Sequence, residues 1–85
     1  MKPPIYSRKA TKVVNSLDTS TKQRIKNGIE KIPKGDIKPL KGSAGNLRLR
    51  IGDWRILFSY IDSNKDCVFV KKISPRGEVY KGGGR

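Results

Sequence analysis

The sequence has no histidine and a single cysteine among its 85 residues. Without imidazole and with one thiol, the chain lacks the usual ligands of a zinc site, and Cys67 has no second cysteine for an internal disulfide. Imidazole acid–base catalysis near neutral pH is excluded for the same reason. Cys67 lies in the apolar run CVFV, so we interpret it as a small core residue and expect neither a metal nor another cofactor.

Acidic residues and long apolar runs are also scarce. Twenty Lys and Arg stand against seven Asp and Glu, a formal net charge of +13 at pH 7. Such an excess attracts polyanions, so nucleic acid is the leading class of partner. No run of about 18 apolar residues is present to span a membrane, and residues 1–4 lack the apolar stretch of a signal peptide. We therefore expect a cytoplasmic protein with no membrane partner.

The length and the apolar content predict one small domain over residues 1–85. Hydrophobic residues make up 34% of the sequence and aromatic residues 7%, which is enough for a single modest core. Residues 81–85, rich in glycine, are expected to form a frayed tail.

The N-terminal part predicts a short edge strand and two helices. Residues 3–7 are proline-rich, which suits an edge strand. The first helix carries an apolar stripe at helical spacing: Ala10, Val13, Val14 and Leu17. Residues 18–20 then provide a stop and an N-cap, and the second helix places isoleucines at 25, 29 and 32 on one face until Pro33 and Gly35 end it. The Gly-, Pro- and Lys-rich segment 35–46 is predicted as a surface connector.

The C-terminal half predicts a three-stranded meander. Residues 47–51 alternate strictly between apolar side chains and arginine, and Gly52-Asp53 suits a two-residue type II′ turn into residues 54–61. A polar turn at 62–66 leads to an apolar strand at 67–73. The whole pattern predicts an α+β fold, with two antiparallel helices packed on one face of a small antiparallel sheet made of the edge strand and the meander.

In this register three arginines share one face of the sheet: Arg48, Arg50 and Arg55. Apolar residues fill the other face: Leu47, Leu49, Ile51, Trp54, Ile56 and Phe58. Like charges directly opposed destabilise a strand pair unless an anion lies between them. Guanidinium groups bind phosphate in a fork geometry and can stabilise the charge of a phosphodiester-cleavage transition state. The simpler alternative is a solvated basic surface that only adds solubility.

Three segments in this order resemble the RelE/ParE superfamily of bacterial and archaeal toxins. They are LKG at 40–42, LRLRIGDWRILF at 47–58 and ISPRGEVYK at 73–81. In spacing and length they are most similar to the RelE branch. The resemblance implies a toxin that cuts messenger RNA on the ribosome as an endoribonuclease, with a cognate antitoxin as its partner and no small-molecule cofactor.

The resemblance also implies the site. Its catalytic residues would be Arg48, Arg50, Arg55, Arg76 and Tyr80. The RNA-binding residues are expected to be Lys41, Lys71, Lys72 and Lys81, with Lys71 and Lys72 acting as a general electrostatic attraction to ribosomal RNA. The implied reaction is metal-free attack of a ribose 2′-hydroxyl on its own 3′-phosphate. RelE itself has lysines where this chain has Arg48 and Arg50, and many relatives have a histidine where this chain has Pro75, so the proton-transfer group is left open.

Two other functions remain consistent with the sequence. One is a ParE-like inhibitor of DNA gyrase, and the other is a ribosome- or RNA-binding module without catalytic activity. The five matching basic and aromatic positions favour the nuclease, because gyrase-directed relatives generally lack that set.

Overall fold

The computed structural model describes residues 3–40, 42, 45–61 and 65–75. Two helices and five strands follow one another in this part of the chain: β1 (Ile5–Tyr6), α1 (Arg8–Ser16), α2 (Thr19–Glu30), β2 (Asp36–Pro39), β3 (Leu47–Ile51), β4 (Trp54–Tyr60) and β5 (Val68–Pro75). The strands form one sheet in the order β1-β5-β4-β3-β2. The predicted α+β fold and its three-stranded meander are confirmed. None of the described helices is long and apolar enough to cross a membrane.

Both helices begin at a side-chain cap. The Ser7 hydroxyl accepts a hydrogen bond from the Ala10 N–H at 3.0 Å and donates one to the Lys71 carbonyl at 2.7 Å, so it ties the start of α1 to β5. A carboxylate oxygen of Asp18 accepts from the Thr21 N–H at 3.2 Å. Each cap satisfies a backbone donor that the first helical turn leaves unpaired. The predicted N-cap in residues 18–20 is therefore Asp18.

The core lies between the helices and one face of the sheet. Helical side chains supply about half of it: Ala10, Val14, Ile25, Ile29 and, just after α2, Ile32. Strand side chains supply the rest: Leu49, Ile56, Phe58, Val68, Val70 and Ile73. The apolar stripes predicted for both helices and the apolar face predicted for the meander are confirmed. Cys67 is buried too, with its Sγ 3.7 Å from the Pro3 carbonyl oxygen.

The sheet differs from the prediction at both edges. Residues 36–39, expected within a surface connector, form β2 and pair antiparallel with β3. At the other edge β1 runs parallel to β5, with Ile5 opposite Phe69 and Tyr6 opposite Val70. The sheet is therefore mixed and not wholly antiparallel. Only strands joined by a tight hairpin must be antiparallel, and β1 is separated from β5 by most of the chain.

The hairpin between β3 and β4 has the predicted register. Ile51 is opposite Trp54 and Arg50 is opposite Arg55. Gly52 has a φ of +57°, and Asp53 has no positive φ, as a type II′ turn requires. This turn determines which side chains of the two strands share a face.

Helix α2 approaches β3 closely at Gly28. A Cβ atom on Gly28 would overlap Ile51 Cδ1 and come within 2.9 Å of Ile51 Cγ1. Glycine inside a helix ordinarily costs about 1 kcal/mol relative to alanine. Here the missing Cβ makes room for Ile51 to pack between the helix and the sheet.

Gly28→Ala is expected to lower the free energy of unfolding, because overpacking at Ile51 costs about 1–3 kcal/mol and exceeds the gain in helix propensity. Ile51→Val removes Cδ1. In that background the change in the free energy of unfolding caused by Gly28→Ala should be more favourable by about 1 kcal/mol than in the wild type. Urea unfolding of the wild type, both single variants and the double variant measures this interaction. Additive effects would contradict the close approach.

Asp18 also predicts a pH dependence of stability. Hydrogen bonds from the Thr21 side chain, and then from its backbone, lower the pKa of Asp18 below its ordinary value. The stabilisation is therefore present above the ordinary carboxyl pKa and is lost as the pH falls through the lowered, folded-state pKa. Thermal unfolding should show Asp18→Ala less stable than the wild type at neutral pH, with the difference shrinking in acid. Asp18→Asn caps the helix without a charge. The difference in stability between Asp18→Asn and Asp18→Ala should therefore stay the same as the pH falls.

Candidate nucleic-acid interface

The face of the sheet opposite the helices carries the arginines. In β3, Leu49 points into the core, so the alternating neighbours Arg48 and Arg50 point away from it. In β4, Ile56 and Phe58 are buried in the core, which places Arg55 on the same outer face as Arg50, its directly opposed partner. The predicted gathering of the three arginines on one face is confirmed.

Two rows of paired residues cross this outer face. The first row runs from β2 to β5 through Lys38, Arg48, Leu57 and Lys72. The second row runs through Asp36, Arg50, Arg55 and Ser74. Side chains directly opposed across strands lie about 5 Å apart at Cβ, and diagonal neighbours about 7–8 Å. We call the cationic members of this surface, together with Lys71, the basic face: Lys38, Arg48, Arg50, Arg55, Lys71 and Lys72.

An irregularity in β5 brings two consecutive lysines to the basic face. Leu57 pairs with Lys72 and Phe58 with Val70, so Lys71 is an extra residue in the ladder. The side chain of Lys71 reaches Asn46 and donates a hydrogen bond to Oδ1. Regular alternation would turn one of the two lysines towards the core, and this β-bulge prevents it. The adjacent lysines in the buried strand VFVKKI are the sequence signal for this bulge, which is not among the sequence predictions.

Two of the three arginines and one lysine of the basic face surround a small concavity. It has a volume of about 200 Å³ and is lined by Arg48, Arg55 and Lys72, with Leu40, Ile56, Leu57 and Ser74. The described residues of its lining include no acidic side chain. The side chain of Arg48 is only 14% exposed, and the Nε atom of Arg55 is buried. Partial removal of water strengthens the interaction of these cations with an anion, so the concavity is suited to a phosphate group.

An acidic residue at the sheet edge lies beside two of the arginines. Asp36 Oδ1 is 3.9 Å from Arg48 Nη2, and its Oδ2 is 3.6 Å from Arg50 Nε. The contacts are long and Asp36 is about half exposed, so they contribute little stability but offset part of the repulsion among the arginines. Asp36 lies in the segment 35–46 that is predicted as a surface connector, so its place beside the arginines is not among the sequence predictions. The signal was the alternation Asp36-Ile37-Lys38.

The structure thus brings together five of the nine predicted site residues: Arg48, Arg50, Arg55, Lys71 and Lys72. The other four lie outside the described residues: Lys41, Arg76, Tyr80 and Lys81. Across the described ranges, no group of three or more His, Cys, Asp or Glu side chains is placed to hold a metal ion.

Comparison with solved structures identifies the fold. A chain of the RelB–RelE antitoxin–toxin complex from Methanococcus jannaschii superposes with a TM-score of 0.72 at 22% sequence identity, covering 92% of this chain and 96% of that one. The isolated E. coli RelE toxin gives a TM-score of 0.67 at 22% identity, covering 95% and 93%. The archaeal RelE–RelB complex from Pyrococcus horikoshii gives 0.66 at 24% identity, covering 87% and 93%.

The chain has a RelE-like fold. The resemblance seen in the sequence motifs is confirmed at the level of structure. No protein-family model matches the sequence, and no curated protein is significantly similar to it. The RelE-like sheet of this chain carries the basic face on the side that its helices leave open.

Asp36→Asn is expected to strengthen binding of a short single-stranded RNA, because it removes the negative charge beside Arg48 and Arg50. The gain should be about two- to fivefold near physiological salt and should shrink as salt is raised. Fluorescence anisotropy across a salt series measures it. Asp18→Asn is the matched control, since it makes the same charge change at the start of α2 on the helical side. Equal effects of the two substitutions would show that RNA does not bind at the basic face.

Proposed function

We propose that this chain is the toxin of a toxin–antitoxin pair and that it cleaves messenger RNA on the ribosome. The observation that carries the proposal is the concavity where Arg48, Arg55 and Lys72 converge on the open face of a RelE-like sheet. Three cations around a pocket whose described lining contains no carboxylate suit the phosphate of a nucleic-acid backbone. Of the biological polyanions, RNA also carries the 2′-hydroxyl that the reaction below requires.

The proposed reaction is attack of a ribose 2′-hydroxyl on its own 3′-phosphate. It forms a cyclic phosphate and releases the next nucleotide with a 5′-hydroxyl. Arg55 and Arg48 would hold the scissile phosphate and stabilise the negative charge that grows on its oxygens in the transition state. Arg50, which is directly opposite Arg55 but does not line the concavity, would contact a neighbouring phosphate. Holding the attacking oxygen in line with the phosphorus supplies a further part of the acceleration.

The remaining assignments rest on the sequence, either on its family resemblance or on its basic charge. Arg76 is proposed to bind the scissile phosphate as well, and Tyr80 is proposed to stack on a base or to transfer a proton. Lys41, Lys71 and Lys81 would add contacts to neighbouring RNA. Each such surface contact is worth little alone, but together they produce strong, salt-dependent attraction to the RNA of the ribosome.

A cognate antitoxin is the proposed protein partner. Two of the structural neighbours described above are RelB–RelE complexes, one from M. jannaschii and one from P. horikoshii. An acidic antitoxin segment lying across the basic face would neutralise the charges that bind RNA and exclude the messenger. A toxin that acts on ribosomes and is held by such a partner works in the cytoplasm.

Arg55→Ala is expected to leave the fold and ribosome binding nearly unchanged and to slow cleavage by about 10²-fold or more, as for loss of one preorganised transition-state donor. Primer extension on a defined messenger in a reconstituted translation reaction, with and without ribosomes, measures the cuts. Arg8→Ala is the matched control, because Arg8 is an exposed arginine at the start of α1 on the helical side.

Ribosome-dependent cuts that weaken in Arg55→Ala and persist in Arg8→Ala would support the proposal. Equal cleavage by all three proteins would contradict the site. RNA binding without any cleavage products would identify a binding module instead. Broken DNA trapped in a gyrase supercoiling assay, again without RNA cleavage, would identify a gyrase poison.

A further inference from the structure

The proposed cleavage needs a group that can give a proton to the leaving 5′-oxygen. Among the described residues that line the concavity, the ionised side chains are Arg48, Arg55 and Lys72. A guanidinium effectively never releases its proton, whereas a lysine ammonium is protonated at neutral pH and can transfer a proton. Lys72 is therefore the charged group of this pocket suited to proton transfer.

The register places Lys72 on the flank of the site. Lys72 is directly opposite Leu57, and Leu57 is directly opposite Arg48 on its other side. Arg55 is opposite Ser74, two residues along β5, so Lys72 and Arg55 are diagonal neighbours. A phosphate held above Leu57 by the two arginines would have the ammonium of Lys72 on its β5 side, within reach of a long side chain.

The bulge separates the roles of the two adjacent lysines. The ammonium of Lys71 donates a hydrogen bond to Oδ1 of Asn46, the residue immediately before β3. Lys72 instead lines the concavity. Because the bulge turns both lysines to the outer face, Lys72 reaches the pocket without displacing Ile73 or Val70 from the core.

We infer that Lys72 is the general acid of the cleavage reaction, an inference that rests on the proposed function. As the 2′-oxygen forms its bond to phosphorus, the bond from phosphorus to the 5′-oxygen breaks. The Lys72 ammonium gives a proton to that departing oxygen, the 2′-hydroxyl proton passes to water, and the neutral amine then takes a proton back from solvent. Arg48 and Arg55 remain charged throughout and stabilise the phosphate.

Lys72→Arg is the first test, because it keeps the positive charge and removes the transferable proton. We expect ribosome binding within about twofold of the wild type and cleavage slower by about 10²-fold or more, the usual contribution of general acid catalysis. Lys9→Arg is the matched control, because Lys9 is an exposed lysine of α1 on the helical side, and it should cleave within about threefold of the wild type. Single-turnover cleavage of a defined messenger measures each rate.

A sulfur substrate separates proton donation from charge. A synthetic messenger with a bridging sulfur in place of the 5′-oxygen, at the linkage that the wild type cuts, has a leaving group that needs no proton. Lys72→Arg should cut this messenger within about threefold of the wild-type rate. Arg55→Ala should remain slow on it, because loss of charge stabilisation is not repaired by a better leaving group.

The outcomes distinguish this inference from the proposed function. Recovery of Lys72→Arg on the sulfur messenger supports Lys72 as the general acid. If Lys72→Arg cleaves ordinary RNA at the wild-type rate, or is slowed equally on both messengers, Lys72 is not the general acid. The proposed nuclease function is unaffected by either result. Absence of cleavage of either messenger by the wild type overturns the proposed function and this inference with it.

Discussion

The organisation of the molecule depends on one constraint, which is that a single sheet must bury one face and expose the other. The alternation Leu47-Arg48-Leu49-Arg50-Ile51 satisfies it most strictly. Burial of the apolar positions against α1 and α2 forces the arginines onto the open face, where the hairpin at Gly52 adds Arg55. The burial that stabilises the fold and the repulsion on the basic face therefore arise from the same strand pairing.

The repulsion among the arginines is partly offset by an acidic residue of the sheet, and a bound anion would offset it further. Asp36 lies beside Arg48 and Arg50 at the sheet edge. Within the part of the chain that the structure describes, the lining of the concavity that contains Arg55 and Lys72 has no carboxylate. Among the described residues, the acidic side chain of this surface therefore lies at the β2 edge, and the concavity lies towards β5. Partly desolvated cations attract an anion more strongly, so the concavity towards β5 is the part of the basic face best suited to a phosphate.

The bulge at Lys71 shows how a local irregularity connects folding with the site. Val70 and Ile73 both belong to the core, and two lysines stand between them. A regular strand would bury one lysine, at a cost far above that of one lost ladder position. The extra residue resolves the conflict by placing both lysines outside. It also anchors the start of α1, since the Ser7 hydroxyl donates to the Lys71 carbonyl.

The sequence by itself determined the local elements: the stripes of α1 and α2, the N-cap in residues 18–20, the turn at Gly52-Asp53 and the face that carries the arginines. Periodicity, capping and turn chemistry act over a few residues, so they can be read from the chain. Only the tertiary structure decided that residues 36–39 join the sheet, that β1 pairs parallel with β5, and that Asp36 and Lys72 lie on either side of the arginines. These features depend on pairings between residues far apart in the chain, whose free energy exists only once the core has brought the strands together.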